Sequence, residues 1–379
     1  VVSNESPATP TGGGKRSYCN RRIATVAALG SLVLAVAACS STTGAKSTKD
    51  QGGDSGSSGS SSSSFYKGKT ITWVLPVAAN SSFYQQATIL VPEMQKILGA
   101  TINLTSNASG AGIPGQDIVA SAPSNGLMMG TLSLNNDVLE KIAGQPSVNF
   151  DVAKMQMLGC VPLGPNIMLA SPGSSYRTFD DLRSATSQVK VITHSGTSDV
   201  NVRVILGAYG VNAKFITGYN TGADASAGFL RGDAPIYQDA IGSSGPVVVA
   251  GKGTPLLVSR VPPAGAQGYE QLKNTPTFNE YAASNQPPTA AGQAAMKTLD
   301  LLNGSSAPNG CPFLPANAPA EAVSELTNAF KTALNDPANT QAQLKQALIP
   351  GYYSPDQVRQ VLASVTTNAD TIKPYLAKS

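Results

Sequence analysis

Over most of its length this chain alternates short apolar runs with stretches whose apolar residues recur every three to four positions. The runs at 71–77, 101–105, 127–132, 155–161, 167–170, 189–193, 214–217, 235–238 and 255–259 read as strands by length and β-propensity. Helical patterns at 83–98, 112–120, 135–142, 179–185, 200–209 and 223–231 fall between them. A strand, a helix and a second strand bring the chain back to the same end of a sheet, so the pattern predicts α/β layers with mostly parallel sheets. From Phe65 to Ser379 there are about 315 residues, enough for two domains of ordinary size.

Local signals mark several helix starts. Thr178 with Asp181 predicts a capping box that uses Asp in place of Glu or Gln. Ser354, Pro355 and Gln357 predict another, with proline at the first helical position. Behind Pro319, the residues Val323, Leu326, Phe330 and Leu334 recur at helical spacing and predict one apolar stripe, read as core packing. The run Pro246-Val247-Val248-Val249-Ala250, bounded by Gly245 and Gly251, reads as a strand by propensity alone.

The first 38 residues read as a targeting segment. Lys15, Arg16, Arg21 and Arg22 precede an apolar run of roughly sixteen residues, 23–38. The run ends in Val36-Ala37-Ala38-Cys39, and small residues before a cysteine suit a lipoprotein signal peptidase. The competing reading is a transmembrane anchor with Cys39 incidental. A short, Ala-rich run with a linker directly behind it favours a signal peptide over 1–38 and a lipid on Cys39. Arg21-Arg22 leaves twin-arginine export open beside the general route. Residues 39–64 hold the lipidated cysteine and a Ser/Gly-rich stretch, which predicts a flexible tether with a reach of about 25–30 Å. The chain carries 26 Lys+Arg and 22 Asp+Glu, and removing 1–38 leaves 22 and 21. The basic balance is therefore largely the signal's, and nothing supports nucleic-acid binding. Of four cysteines, Cys160 and Cys311 remain after Cys19 and Cys39, either as two buried thiols or as a bridge outside the cell.

Enzyme chemistry finds little support. The chain has one histidine, His194, and no Gly-x-Ser-x-Gly elbow, Walker loop or dinucleotide fingerprint. A zinc hydrolase ordinarily needs two or more histidines, and Asp180-Asp181 is better explained by capping. The expectation is a protein that is not an enzyme and carries no cofactor and no metal. Binding turns are better represented. Ala78-Ala79-Asn80-Ser81-Ser82 leads from a strand into a helix, as does His194-Ser195-Gly196-Thr197-Ser198-Asp199, and Ser109-Gly110-Ala111-Gly112 is a third such turn. The unpaired N–H groups and positive dipole end of a helix N-terminus suit a carboxylate or phosphate. The plain alternative is that Ser, Asn and Gly merely cap helices and shape turns. The first two turns fall in different halves of the chain, which favours a binding role over that alternative.

The folded part resembles the substrate-binding receptors of tripartite tricarboxylate transporters, the Bug or TctC-like receptors. The resemblance is carried in order by Lys69 through Ala79, Ser109-Gly110-Ala111-Gly112 with Gly115, Ala122-Pro123-Ser124-Asn125-Gly126 and Phe150-Asp151-Val152. It continues through Gly218-Tyr219-Asn220-Thr221-Gly222, Leu230-Arg231-Gly232-Asp233 and Thr275-Pro276-Thr277-Phe278-Asn279-Glu280. It implies a two-lobed, type II periplasmic-binding-protein-like α/β fold with a hinge and an interlobe cleft. Lobe one would hold 65–165 plus 260–379, and lobe two 166–259. It also implies a short helix, not a strand, at Pro246–Ala250. The ligand, a small carboxylate, would be held by main-chain amides of Ala79, Asn80, Ser81 and Ser82 and of Ser195, Gly196, Thr197 and Ser198. Tyr219, Asn220 and Thr221 would line the lobe-two side. Cys160 and Cys311 would both fall near the hinge strands, which favours a disulfide.

Two departures bear on the ligand class: Asn80-Ser81-Ser82 fills a loop that is richer in glycine in the family, and the turn at Ser195 is about two residues shorter. The resemblance implies a monomeric, membrane-anchored transport receptor on the outer face of the cell membrane, with transporter membrane subunits as partners. The competing accounts are a ligand-sensing surface lipoprotein that signals to a membrane partner, a structural lipoprotein with an unused cleft, and a secreted hydrolase.

Overall fold

The computed structural model describes residues 64–376 apart from 80, 145–147, 163, 195–196, 220 and 304–306. The expected signal peptide, Cys39 and all but the last residue of the tether lie outside the described residues, as do Asn80, Ser195, Gly196 and Asn220.

The chain opens with β1 (Thr70–Leu75), α1 (Ser82–Leu98), β2 (Thr101–Ser106), α2 (Ile113–Ala120), β3 (Met128–Ser133), α3 (Leu134–Ala143) and β4 (Gln156–Met157). It then passes to a second sheet through β5 (Asn166–Ala170), α4 (Phe179–Arg183), β6 (Val189–Ile192), α5 (Thr197–Ala208) and β7 (Ala213–Ile216). That sheet is completed by α6 (Gly222–Arg231), β8 (Ile236–Ala240), α7 (Ile241–Val249) and β9 (Thr254–Val258). Helices α8 (Tyr269–Leu272), α9 (Phe278–Ser284) and α10 (Ala290–Asn303) precede β10 (Gly310–Leu314). The chain ends in α11 (Ala320–Asn335), α12 (Pro337–Lys345), α13 (Pro355–Asn368) and α14 (Lys373–Leu376).

The strands form two five-stranded sheets, ordered β2-β1-β3-β10-β4 and β7-β6-β8-β5-β9. Each is the heart of one lobe of a two-lobed α/β fold. The sheets are mixed, where the alternation of elements predicted mostly parallel ones. β1 pairs in parallel with β2 and β3, and β6 with β7 and β8. β10 runs antiparallel to β3 and β4, and β5 antiparallel to β8 and β9. The reason is topological: β5 and β10 are the strands by which the chain enters each sheet from the other. They run against strands laid down by local strand–helix–strand crossovers.

β1 shows why these residues make a buried strand. Its side chains alternate between faces. Ile71, Trp73 and Leu75 pack with Leu90 and Met94 of α1 and with Leu326 and Phe330 of α11. Val74 packs on the other face with Val119, Leu132 and Phe313. The indole of Trp73 donates from Nε1 to Thr131 Oγ1 at 2.8 Å, so its one polar atom is satisfied in the core. The stripe read from the sequence behind Pro319 thus meets the sheet, and each such fully buried large side chain stabilises by about 1.5–3 kcal/mol.

Pro246–Ala250 lies largely in α7, against its strand propensity. Ile241, Ser244, Gly245 and Val248 fall on one helical face and are buried. Ile241, Val247 and Val248 join a cluster with Ile167, Leu169 and Tyr237, so tertiary burial overrides local preference. The capping boxes at Thr178 and Ser354 are formed. Helices α9 and α10 supply Phe278, Tyr281, Ala295, Met296 and Leu299 to the cluster that holds Val202, Ile205 and Leu206 of α5. By packing they keep company with the second sheet, whereas the resemblance groups 260–379 with the first.

The two passages between sheets run side by side. Val161 N donates to Gly310 O and Asn309 N to Val161 O, both at 2.9 Å, and Leu158 N reaches Pro312 O at 2.9 Å. Cys160 and Tyr353 exchange two backbone bonds at 2.9 Å, which brings a third segment alongside. Cys160 and Cys311, buried here, are joined by a disulfide that closes a separation of 151 residues. A loop of that length implies on the order of 5 kcal/mol of chain-entropy stabilisation, and native disulfides commonly contribute about 2–5 kcal/mol. A Cys160→Ser, Cys311→Ser variant is therefore expected to unfold at markedly lower denaturant. Equal midpoints for variant and wild type in urea unfolding would contradict this role.

Candidate functional site

Where the crossing strands meet the two sheets, a cavity of about 190 Å³ lies between the lobes. Pro162, Gly164, Asn166 and Asn309, all on or beside the crossings, form its base. From the first lobe come Ser82, Phe83 and Gln86 of α1 and Asn136 of α3. From the second come His194, after β6, and Asp239 through Gly242, at the β8–α7 junction. Ala347, Leu348 and Ile349 close the remaining side.

That last wall is shaped by the end of α12. Ala347 N donates to Leu344 O at 3.1 Å and Leu348 N to Gln343 O at 2.9 Å, the two bonds of a Schellman cap. The left-handed residue is Ala347, with φ 56°, where glycine is usual. An alanine there costs about 1–2 kcal/mol, and the turn sets Leu348 and Ile349 against the cavity.

Two helix N-termini reach the cavity from opposite lobes. Ser81 caps α1, its Oγ accepting from Tyr84 N at 3.3 Å, and Ser82 and Phe83 of the first turn line the wall. Ile241 and Gly242 are the first turn of α7, and Ile241 N donates to Pro165 O at 2.8 Å. Both helices turn their positive dipole ends toward the space between the sheets.

The ionic group of the site is built on Asp239, which is 1 % exposed. Ala240 N donates to its Oδ1 at 2.7 Å, and Tyr237 Oη to its Oδ2 at 3.2 Å. His194 Nδ1 lies 3.0 Å from the same Oδ2. At that distance the contact is an ion pair whenever the ring is protonated. Burial alone would depress the imidazole, but Asp239, with Asp199 and Asp224 further off, outweighs it and raises His194 above the ordinary histidine value. Helix α6 begins against this carboxylate: a Cβ on Gly222 would fall 2.5 Å from Asp239 Oδ2, so the packing requires glycine.

Of the residues the sequence singled out, Ser82 lines the cavity and Ser81 caps the helix behind it. Ala79 is exposed and outside the wall. Thr197 and Ser198 open α5 next to His194. Thr221 is the N-cap of α6, accepting from Asp224 N at 3.1 Å. Tyr219 packs against Gly228 of that helix and donates from Oη to Asp233 Oδ2 at 3.0 Å. The turn at 109–112 also serves packing: a Cβ on Gly112, at φ 85°, would meet Pro76 O at 2.3 Å. Sequence reasoning missed the carboxamides Gln86, Asn136, Asn166 and Asn309, and it named His194 as the start of a binding turn and as a weak catalytic candidate, without its pairing to Asp239. Among the described residues no helix is long and apolar enough to cross a membrane, and no group of three or more His, Cys, Asp or Glu could hold a metal.

No protein-family model matches this sequence, and no curated protein matches it. Solved structures do match its fold. The periplasmic binding protein BugD superposes with a TM-score of 0.61 at 17% identity, covering 82% of this chain and 98% of that one. MatC from Rhodopseudomonas palustris, with bound malate, gives 0.60 at 18%, covering 80% and 99%. A second R. palustris protein, with adipate, gives 0.59 at 17%, covering 80% and 97%. The chain thus has the two-lobed fold of periplasmic binding proteins.

Behind Asn136 lies a second buried acid. Asp137 is 4 % exposed, and its Oδ1 accepts from Gln116 Nε2 at 3.1 Å. Asp137 Oδ2 and Gln116 Oε1 are both buried without a partner. Burial, reinforced by nearby Glu140 and Asp117, pushes the Asp137 carboxyl up to about 7. A proton on Oδ2 removes the charge that burial penalises and gives that oxygen a hydrogen to donate. Because the folded value lies above the unfolded one, this contribution is fully present below about pH 4 and is lost as pH rises through about 7. Asp137→Asn, whose amide supplies the missing donor at every pH, is expected to be more stable than wild type near pH 8 by on the order of a few kcal/mol and similar near pH 4. Parallel stability–pH curves for the two proteins would contradict it.

Proposed function

We propose that this chain is an extracytoplasmic receptor that captures a small carboxylate between its lobes for a tripartite tricarboxylate-type membrane transporter. The observation that carries the reading is the cavity: two helix N-termini, one from each lobe, and the imidazole of His194 converge on it. Backbone N–H groups in the first turn of a helix lack intrahelical partners and favour an anion. Gln86, Asn136, Asn166 and Asn309 surround them with carboxamides, each able to donate and to accept. An anion held this way needs no arginine, since amide donors to a charged acceptor form stronger hydrogen bonds than neutral pairs do. The malate and adipate in two proteins of like fold suggest the size and class of ligand.

In this reading the protein is not an enzyme. Asp239 pairs with His194 and raises its proton affinity; it does not assist a nucleophile. The lipid on Cys39 and the tether behind it hold the receptor at the outer face of the membrane, within reach of its transporter subunits. Ligand binding draws the lobes together about the crossing strands, as in other two-lobed receptors. The amides near Ser82 and those at the start of α5 grip the ligand from opposite sides.

A thermal-shift panel of mono-, di- and tricarboxylates, amino acids and sugars tests the proposal. A ligand at a hundred times its dissociation constant stabilises by about 2.7 kcal/mol, and a shift of several degrees confined to carboxylates is expected. A shift with sugars or amino-acid cations alone would overturn it.

A further inference from the structure

Resting on the carboxylate-receptor reading, we infer that His194 is the ligand's counter-charge and that the receptor takes up its anionic ligand together with a proton on this imidazole. Among the described residues lining the cavity, His194 and Asp239 are the only ones that ionise, and no lysine or arginine joins them. The charge an incoming anion meets is therefore set by one titrating ring. With His194 protonated, the pair is neutral overall and an N–H⁺ is available. With His194 neutral, no charged partner on the cavity wall offsets the Asp239 carboxylate, which then disfavours the ligand.

The geometry divides the labour between the two residues. Asp239 accepts from Ala240 N and Tyr237 Oη and lies 3.0 Å from His194 Nδ1, so its oxygens are engaged within the protein. It is a positioning residue. His194 keeps 22% of its side chain exposed while Nδ1 is buried, which leaves Nε2 as the polar atom for the cavity. The charged groups facing the ring are Asp239 from β8, Asp199 from α5 and Asp224 from α6. Asp199 is shared with Arg203, whose Nε donates to it at 2.7 Å. All three favour the imidazolium against the cost of burial. A ligand carboxylate would add a fourth negative group and raise the proton affinity further. By linkage, binding must then weaken as pH rises past the midpoint of the free ring.

The chain has one histidine, so its imidazole proton resonances can be followed without assignment. The experiment titrates the whole purified protein by NMR from pH 5 to 9, with and without saturating sodium malate or sodium adipate. Binding is measured by calorimetry at several pH values for wild type, His194→Gln and Asp239→Asn. In wild type the imidazole midpoint is expected to lie above the ordinary histidine value and to move up again with malate or adipate. Affinity is expected to fall about tenfold between the midpoint and two pH units above it. His194→Gln should bind more weakly at low pH and lose the pH dependence, and Asp239→Asn should lower the imidazole midpoint. Binding with an unmoved imidazole midpoint would overturn the inference and leave the receptor reading standing. If neither compound, nor any other carboxylate of the thermal-shift panel, binds wild type at any pH in the range, the receptor reading fails and the inference with it. The NMR result on wild type stands even if a variant does not fold.

Discussion

The structure depends on a chain that passes between two sheets and back. Each passage must leave one sheet, satisfy its backbone polar groups on the way and enter the other sheet as an antiparallel strand. The molecule meets that demand by pairing the passages with each other: 158–162 runs against 308–312, and Tyr353 bonds Cys160 from the other side. The Cys160–Cys311 disulfide fixes this pairing covalently. A cavity lies beside the seam, lined there by Pro162, Gly164, Asn166 and Asn309.

Once the seam exists, the chemistry of the cavity follows from where strands end. β8 runs directly into α7 and β1 leads into α1 through 76–81, and the first turns of both helices line the same space. Polar side chains at these ends cannot all be left to water, and most are tied down. Gln86 Nε2 donates to buried Gln343 Oε1 at 2.8 Å, and Asn309 Oδ1 accepts from Asn135 N at 3.4 Å. Asp239 is held from three sides. The result is a rigid polar wall with a single titrating ring upon it, a setting in which small changes in charge have large effects because little water screens them.

Much of this fold could be read along the chain. Strand-like runs and the apolar stripe behind Pro319 predicted the sheets and their covering helix, because a strand buried on both faces is a continuous apolar run and a helix packed on one side keeps a three-to-four-residue repeat. β10 was not legible: Gly310-Cys311-Pro312-Phe313-Leu314 has little β-propensity and a proline, and it is a strand only because both neighbouring sheet edges need a partner there. The antiparallel direction of β5 and β10 was equally hidden, since it depends on which lobe the chain comes from. The first-strand turn was legible as far as Ser82, whose place follows from a local strand-to-helix motif. The carboxamides were not, because Asn136, Asn166 and Asn309 meet only through the long-range return of the chain. At Thr221 the structure shows a local role that the sequence analysis did not single out: it caps α6, and Asp224 completes the capping box.

The account stands on the cavity between the sheets as the place where a small anion is held. Hydrogen–deuterium exchange with mass spectrometry, with and without a carboxylate that raises the melting temperature, tests this most directly. The account predicts slower exchange at two places at once, the first turns of α1 around Ser82–Gln86 and of α7 around Asp239–Gly242, which lie on different lobes. Protection confined to one lobe, or appearing away from both turns, would contradict it.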